Sequence, residues 1–133
     1  MINNCFCNPY KDSKIWIWKK YKISWNVYGE DNRIPIIFIH GFGASSAHWR
    51  YNLSYFAKNG HAVYVFDLIG FGNSAQPGIK EIGLIDNSVW CDQVKHFINE
   101  IIRPRNSNKI FIIGNSLGSL VALTSAVNMP KEI

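Results

Sequence analysis

Apolar residues along the 133-residue chain fall into two kinds of run. In KIWIWKKYKISWNVYG (14–29) the pattern has period two. Ile15 and Ile17 interleave with Trp16 and Trp18, and Tyr21, Ile23, Trp25 and Val27 interleave with mostly polar neighbours. Period two predicts a pair of short antiparallel strands joined at Lys19-Lys20. IIFIHG (36–41), HAVYVFDL (61–68) and KIFIIG (109–114) are instead continuous apolar runs, the pattern of strands buried on both faces of a parallel sheet. Helical spacing lies between and after them. Trp49, Leu53 and Phe56 share a face of a helix expected from about Ser46 to Lys58, stopped at Asn59-Gly60. Asp86 is placed to cap a helix carrying Trp90, Val94, Phe97 and Ile101 inward and ending before Pro104. A last helix is expected from Leu117 to Asn128, closed by Pro130. Two leading strands followed by three strand–helix alternations predict an α/β fold, a mostly parallel sheet flanked by helices. Residues 1–13 are expected to be a flexible polar lead-in and residues 14–133 a single domain.

Composition narrows the class. Hydrophobic residues make up 47% and charged residues 17%, a globular balance in a chain long enough for one core. The net charge is +5, but the basic residues are scattered and the densest group, Lys19-Lys20-Tyr21-Lys22, falls at a turn. A solvated surface is expected there, with no nucleic-acid partner. Cys5 and Cys7 are too close in sequence for an ordinary structural disulfide, no Cys/His group has zinc spacing, and Cys91 falls inside a helix as a small apolar residue. That usage fits a reducing compartment, so a cytoplasmic location is expected. The first residues lack the apolar stretch of a signal peptide, and no apolar run is long enough to span a membrane.

The chemistry is concentrated at Gly114-Asn115-Ser116-Leu117-Gly118, between an apolar strand and a helix of small residues. The spacing G-x-S-x-G suits a turn so tight that a side chain two residues before or after the serine would strike the strand or the helix. Such a turn forces the serine into strained dihedrals and raises its hydroxyl above the strand end. The N–H of Leu117 then opens the helix and can donate to an oxyanion formed at the serine. His40-Gly41-Phe42-Gly43 follows the first buried strand. His40 could be a base, but a structural role within its loop is the expected one. Asp67 ends the next strand ahead of L-I-G-F-G-N-S, and its carboxylate is expected to accept loop N–H groups. The Gly-x-Gly at 70–72 is an incomplete and misplaced match to a dinucleotide site.

IIFIHGFGASSAHWRYNLSYFAKNGHAVYVFDLIGFGNSAQP (36–77) followed by FIIGNSLGSLVALTSAVNMP (111–130) resembles the N-terminal half of an α/β-hydrolase-fold protein. Within that superfamily, HGFGASSAHWRYN and the leading WxWxxYKISW are most similar to a cyanobacterial and plastid branch that includes pheophytinase and related chlorophyll-dephytylating esterases. The resemblance implies Ser116 as nucleophile, the N–H groups of Phe42 and Leu117 as the oxyanion hole, and Gly114 and Gly118 as the elbow glycines. A serine at this place speaks against the dehalogenase and epoxide-hydrolase branches, which use aspartate. It favours cleavage of a small apolar ester or thioester, with a carbon–carbon hydrolase or a lyase related to menaquinone synthesis as alternatives. No metal and no cofactor is implied. Trp49, Phe42 and Phe71 could line an acyl site or could be packing, and packing is the expectation for Trp49.

In this family the triad runs Ser, then Asp or Glu, then His. His40, His48, His61 and His96 all precede Ser116, and Glu132 is the only acid after it. The resemblance therefore predicts a partial domain, lacking C-terminal strands and cap, and an N-terminal fragment of a serine hydrolase that is inactive or nearly so by itself. A complementing C-terminal chain and a non-catalytic binding module are the two alternatives. The KIFIIG strand, central in the family's sheet, would here be an exposed apolar edge.

Overall fold

The structure, a computed structural model, describes residues 8–133. Cys5, Cys7 and the first part of the expected lead-in lie outside the described residues. The strands are β1 (Lys14–Trp18), β2 (Tyr21–Tyr28), β3 (Ile34–Ile39), β4 (His61–Phe66) and β5 (Phe111–Gly114). The helices are α1 (Leu53–Lys58), α2 (Ile79–Ile82), α3 (Asn87–Phe97) and α4 (Leu117–Asn128). The five strands form one sheet in the order β1-β2-β4-β3-β5. β3 pairs in parallel with both β4 and β5, while β2 runs antiparallel to β1 and β4, so every strand but β2 points the same way.

Alternation along β3 and β4 divides the core. Ile36, Phe38, Val63 and Val65 turn to one face, where Trp49 and Leu53 cover them. Ile37, Ile39, Ala62, Tyr64 and Phe66 turn to the other, under α3 and the tryptophans of the leading hairpin. Both faces are filled, and this is why these runs contain almost no polar residue. Phe97 on α3 is the hub of the larger cluster. Its ring stacks on Phe66 at 4.5 Å and meets Trp16, Trp25 and Tyr64 edge-to-face at 5.5, 5.7 and 6.2 Å.

Several boundaries differ from the pattern-based expectation. The helix expected over 46–58 is broken into a 3-10 turn, Ser46–Trp49, and the short α1. Asn52 N–H donates to Trp49 O at 2.7 Å, an i to i+3 bond that closes a tight turn ahead of α1, and the Ser46 N–H, unpaired at the start of its turn, is bound by the Asp67 carboxylate at 2.7 Å. β3 ends at Ile39 and β4 at Phe66, because His40 and Asp67 leave the ladder to bind loops. β5 begins only at Phe111, since Ile110 N–H donates to Glu132 O (2.8 Å) instead of to β3. α3 passes into a wide π turn, Ile98–Ile102, before Pro104. α2 was not expected; it is a four-residue turn on which Glu81 caps Gly78 N–H at 2.9 Å. Residues 8–13 are tied down, where a loose lead-in was expected: the Asn26 amide donates to Pro9 O and Lys11 O, and the Tyr10 hydroxyl donates to Asp67.

The expected apolar edge is present. Among the described residues no strand pairs with the outer side of β5; Phe111 on it is 59% exposed, and Leu120, Leu123 and Val127 of α4 are exposed as well.

Because four aromatic partners converge on Phe97, Phe97→Ala should cost about 3–5 kcal/mol of stability, read as a fall in the urea midpoint at unchanged slope.

Candidate active site

β3, β4 and β5 deliver three loops to one end of the sheet. After β5 the chain turns at Ser116, whose φ of 53° and ψ of −119° lie outside the region open to most side chains. Asn115 N–H donates to Ile39 O (3.1 Å), carrying the β3–β5 pairing up to the turn. Both glycines are demanded by contact. A Cβ on Gly114 would sit 2.1 Å from Gly118 O, and one on Gly118 would sit 2.2 Å from Ile39 O. Helix α4 thus starts against the backbone of β5 and β3, and no side chain fits between. Ser116 is exposed at the top of this junction. The Leu117 N–H, first in the helix, has no intrahelical acceptor.

The loop after β3 lies against the turn. A Cβ on Gly41 would be 3.3 Å from Asn115 O and 3.4 Å from Ser116 Cβ. Gly41 O accepts two hydrogen bonds, from His40 Nδ1–H (2.8 Å) and Ala44 N–H (3.2 Å). No peptide bond here is cis, so fixing that carbonyl fixes the Phe42 N–H in the opposite direction. His40 is fully buried, and its Nε2 accepts Leu68 N–H at 3.0 Å. Both ring nitrogens are occupied by backbone, which makes His40 the neutral Nδ1–H tautomer and a loop clamp. Burial, the largest cause, lowers its pKa below the ordinary histidine value, outweighing the opposite pull of the Gly41 carbonyl and the Asp67 charge.

Asp67, fully buried after β4, gathers the neighbouring loops. One oxygen accepts Ser46 N–H at 2.7 Å; the other accepts Asn73 N–H at 2.8 Å and the Tyr10 hydroxyl at 3.1 Å. Gly72, at φ +54°, is needed because a Cβ there would lie 2.2 Å from that carboxylate. Ser74 completes the clip, its hydroxyl donating to Asp67 O (2.6 Å) and accepting Ser24 N–H (3.0 Å). Buried Gln93 on α3 accepts Ile69 N–H at 3.0 Å. Sequence reasoning passed over Gln93 and Tyr10. An amide on the inner stripe between Trp90 and Phe97 was a readable signal for the first; Tyr10 carried none.

The remaining sequence candidates separate. Phe42 is 77% exposed and meets Phe71 edge-to-face at 5.3 Å, at the serine's end of the sheet. Trp49 packs on Phe38 at 4.8 Å in the core. His61 bonds Ile34 O, His96 bonds Asp92 O, and the His48 ring lies on Trp49. Glu132 is paired with Arg103, beyond the far end of β5 from Ser116. Among the described residues, no histidine or carboxylate is hydrogen-bonded to the Ser116 hydroxyl. No group of three His, Cys, Asp or Glu among them is arranged for a metal, and none of their helices is long and apolar enough to cross a membrane.

A glycine-clamped serine at a strand-to-helix turn, with a glycine loop beside it on a mostly parallel sheet, defines a class. The chain belongs to the alpha/beta hydrolase fold family, whose model matches residues 34–133. It is 30% identical over 121 residues to the pig (Sus scrofa) protein named 1-acylglycerol-3-phosphate O-acyltransferase ABHD5, covering 91% of this chain and 32% of that one. It is 24% identical over 104 residues to human (Lyso)-N-acylphosphatidylethanolamine lipase, covering 78% of this chain and 29% of that one. Among solved structures, the thioesterase domain from the curacin biosynthetic pathway superposes with a TM-score of 0.81 at 21% identity, covering 92% of this chain and 41% of that one. The chain thus spans about a third of the length of the curated relatives it matches. The superfamily expected from the motifs is shown. The finer likeness to the cyanobacterial and plastid branch is not, since ABHD5-like proteins occupy that place.

Two predictions follow from the contacts. In an ordinary helix Gly→Ala gains about 1 kcal/mol; Gly118→Ala should reverse that sign and lower the melting temperature, because the added Cβ meets backbone. His40, with its lowered pKa, stays neutral in the fold while the unfolded chain takes up a proton. Stability should therefore fall as pH drops below the ordinary value of about 6.5, and denaturation of His40→Gln across pH 5–7 should lack that component of the slope.

Proposed function

We propose that the chain carries the nucleophile half of a serine hydrolase acting on acyl esters or thioesters of apolar character. Ser116 attacks the acyl carbon, and the N–H groups of Phe42 and Leu117 receive the charge that develops on the carbonyl oxygen. The observation that carries this reading is Ser116 itself: exposed, at positive φ, and held by two glycines that no other residue could replace. Strain of this kind costs about 1–3 kcal/mol and persists where a site needs it. The names of the relatives, an acyltransferase and a lipase, support acyl-lipid chemistry over chlorophyll-ester chemistry.

The general base and its acid come from outside the described residues. We assign them to a polypeptide segment that adds its first strand along β5, whose apolar edge is open beside α4, whether it belongs to a longer form of this chain or to a complementing one. A non-catalytic binding module is the second reading, in which Ser116, with no histidine bonded to it among the described residues, carries no chemistry, but it leaves that edge bare.

The test is hydrolysis of p-nitrophenyl acetate and of a short-chain acyl thioester. The isolated chain should not exceed its Ser116→Ala variant. With a polypeptide supplying Asp and His, turnover should rise by about 10²–10⁴-fold and depend on Ser116. Robust Ser116-dependent turnover by the isolated chain overturns the need for an outside base; Ser116-independent turnover in the assembled pair overturns the hydrolase reading.

A further inference from the structure

The end of the sheet that bears Ser116 also bears the β1–β2 turn. β2 is antiparallel to β4 with Trp25 opposite Phe66, so residues 24 back to 21 continue past the end of β4. Asp67 N–H and Ala75 N–H follow them, donating to Ser24 O (2.9 Å) and Lys22 O (2.8 Å). Lys19, Lys20 and Lys22 are exposed there. Lys19 is paired with Asp92 at 3.0 Å. Lys20 lies over the Tyr21 ring at 5.3 Å, and neither Lys20 nor Lys22 has an acidic partner among the described residues.

These cations border apolar surface. Ile15 and Ile17 are 56% and 53% exposed on one face of β1, and Ile17 stands directly across from Lys22. The Tyr21 hydroxyl donates to Glu81 O (3.4 Å) and ties a second segment to the hairpin. There Ile79 and Leu84 are 64% and 77% exposed beside exposed Lys80. The one acid in that segment, Glu81, is held by the Gly78 N–H at 2.9 Å.

We propose that this end of the molecule docks on an anionic lipid surface. Ile15 and Ile17 enter the headgroup region, while Lys20 at the turn and Lys22 on the same face bind the anionic headgroups; the segment with Ile79, Lys80 and Leu84 is tied to Tyr21, on the opposite face of the hairpin. A merely solvated strand would carry polar residues where Ile15 and Ile17 stand. A single-stranded nucleic-acid surface would set exposed aromatic rings among the cations, and here the exposed neighbours are aliphatic. Lysine stems can lie along the isoleucines with their ammonium groups in the headgroup layer. Apolar insertion and charge attraction together suffice for reversible attachment. The inference rests on the ester-hydrolase reading for its purpose: a lipid ester gripped here lies at the same end as Ser116.

The test is co-sedimentation of the 133-residue chain with phosphatidylcholine vesicles, with and without phosphatidylglycerol, in the absence of any ester substrate. Its outcome is therefore separate from that of Ser116 chemistry. Partition should require phosphatidylglycerol and weaken with salt. Lys20→Gln with Lys22→Gln should lower it roughly thirtyfold, the product of two lysines near an anionic surface. Ile17→Ser should weaken it while keeping the salt dependence. All three positions are exposed, so unchanged melting temperatures confirm that the variants fold. Equal partition to both vesicle types, no loss in the double variant, or lysine-dependent retention of single-stranded DNA with vesicles ignored would each overturn the proposal.

Discussion

The site depends on one close approach, the backbone of Gly118 against the carbonyl of Ile39. A Cβ on Gly118 would fall 2.2 Å from that oxygen, so the first turn of α4 can lie on the end of β3 only because nothing projects between them. From that approach the geometry of Ser116 follows. The chain leaves β5, turns within two residues and enters α4, and the serine between them takes positive φ. The same approach brings the end of β3, and with it Gly41, so near the serine that a Cβ on Gly41 would lie 3.4 Å from Ser116 Cβ. The strain at Ser116 is therefore set by where α4 must start, with parallel pairing of β3 and β5 holding the two strand ends level.

Around this junction the structure spends its buried polar groups on holding loops. His40, Asp67, Ser74 and Gln93 are all buried, and each binds at least one backbone N–H, of Leu68, Ser46 and Asn73, Ser24, and Ile69 respectively. A buried amide left without an acceptor costs about 1–3 kcal/mol, so these side chains give irregular loops the satisfaction that a ladder gives a strand. They also remove two tempting catalytic candidates. The two His40 nitrogens and the Asp67 oxygens already serve backbone groups or Tyr10.

Much of this was legible in the residue pattern. Parallel strands buried on both faces have to be continuous apolar runs, and α4 has its expected bounds because Ser116 and Pro130 punctuate it. The glycine spacing of the elbow was readable because one contact it permits, Gly114 on Gly118, is between residues four apart; the other, Gly118 on Ile39, is distant in sequence. What was hidden depends on partners distant in sequence. Asp67 takes the Ser46 amide from 21 residues away, and the short β5 comes from Ile110 turning to Glu132. α2 is a single capped turn, too short to show a period. The isoleucines of β1 alternate with its tryptophans as a buried strand's would, and only the sheet shows that the tryptophans face α3 and the isoleucines face water.

The two edges of the sheet are unequal, and the inequality bears on the proposed function. At the β1 edge the tryptophans are packed inward and the flanking lysines are charged, which discourages pairing by another strand. At the β5 edge Phe111 and the outer face of α4 are apolar and bare. Ser116 sits at the end of that second edge, with the His40 loop filling the β3 side of it. Glu132 is no substitute for a triad acid, since α4, about 18 Å long at 1.5 Å per residue, separates it from the serine. On the proposed hydrolase reading, the open side of β5 is where a base for Ser116 would approach. One added strand there would cover the apolar edge and carry a side chain to the serine, so the need for a covered edge and the need for a proton acceptor have the same structural answer.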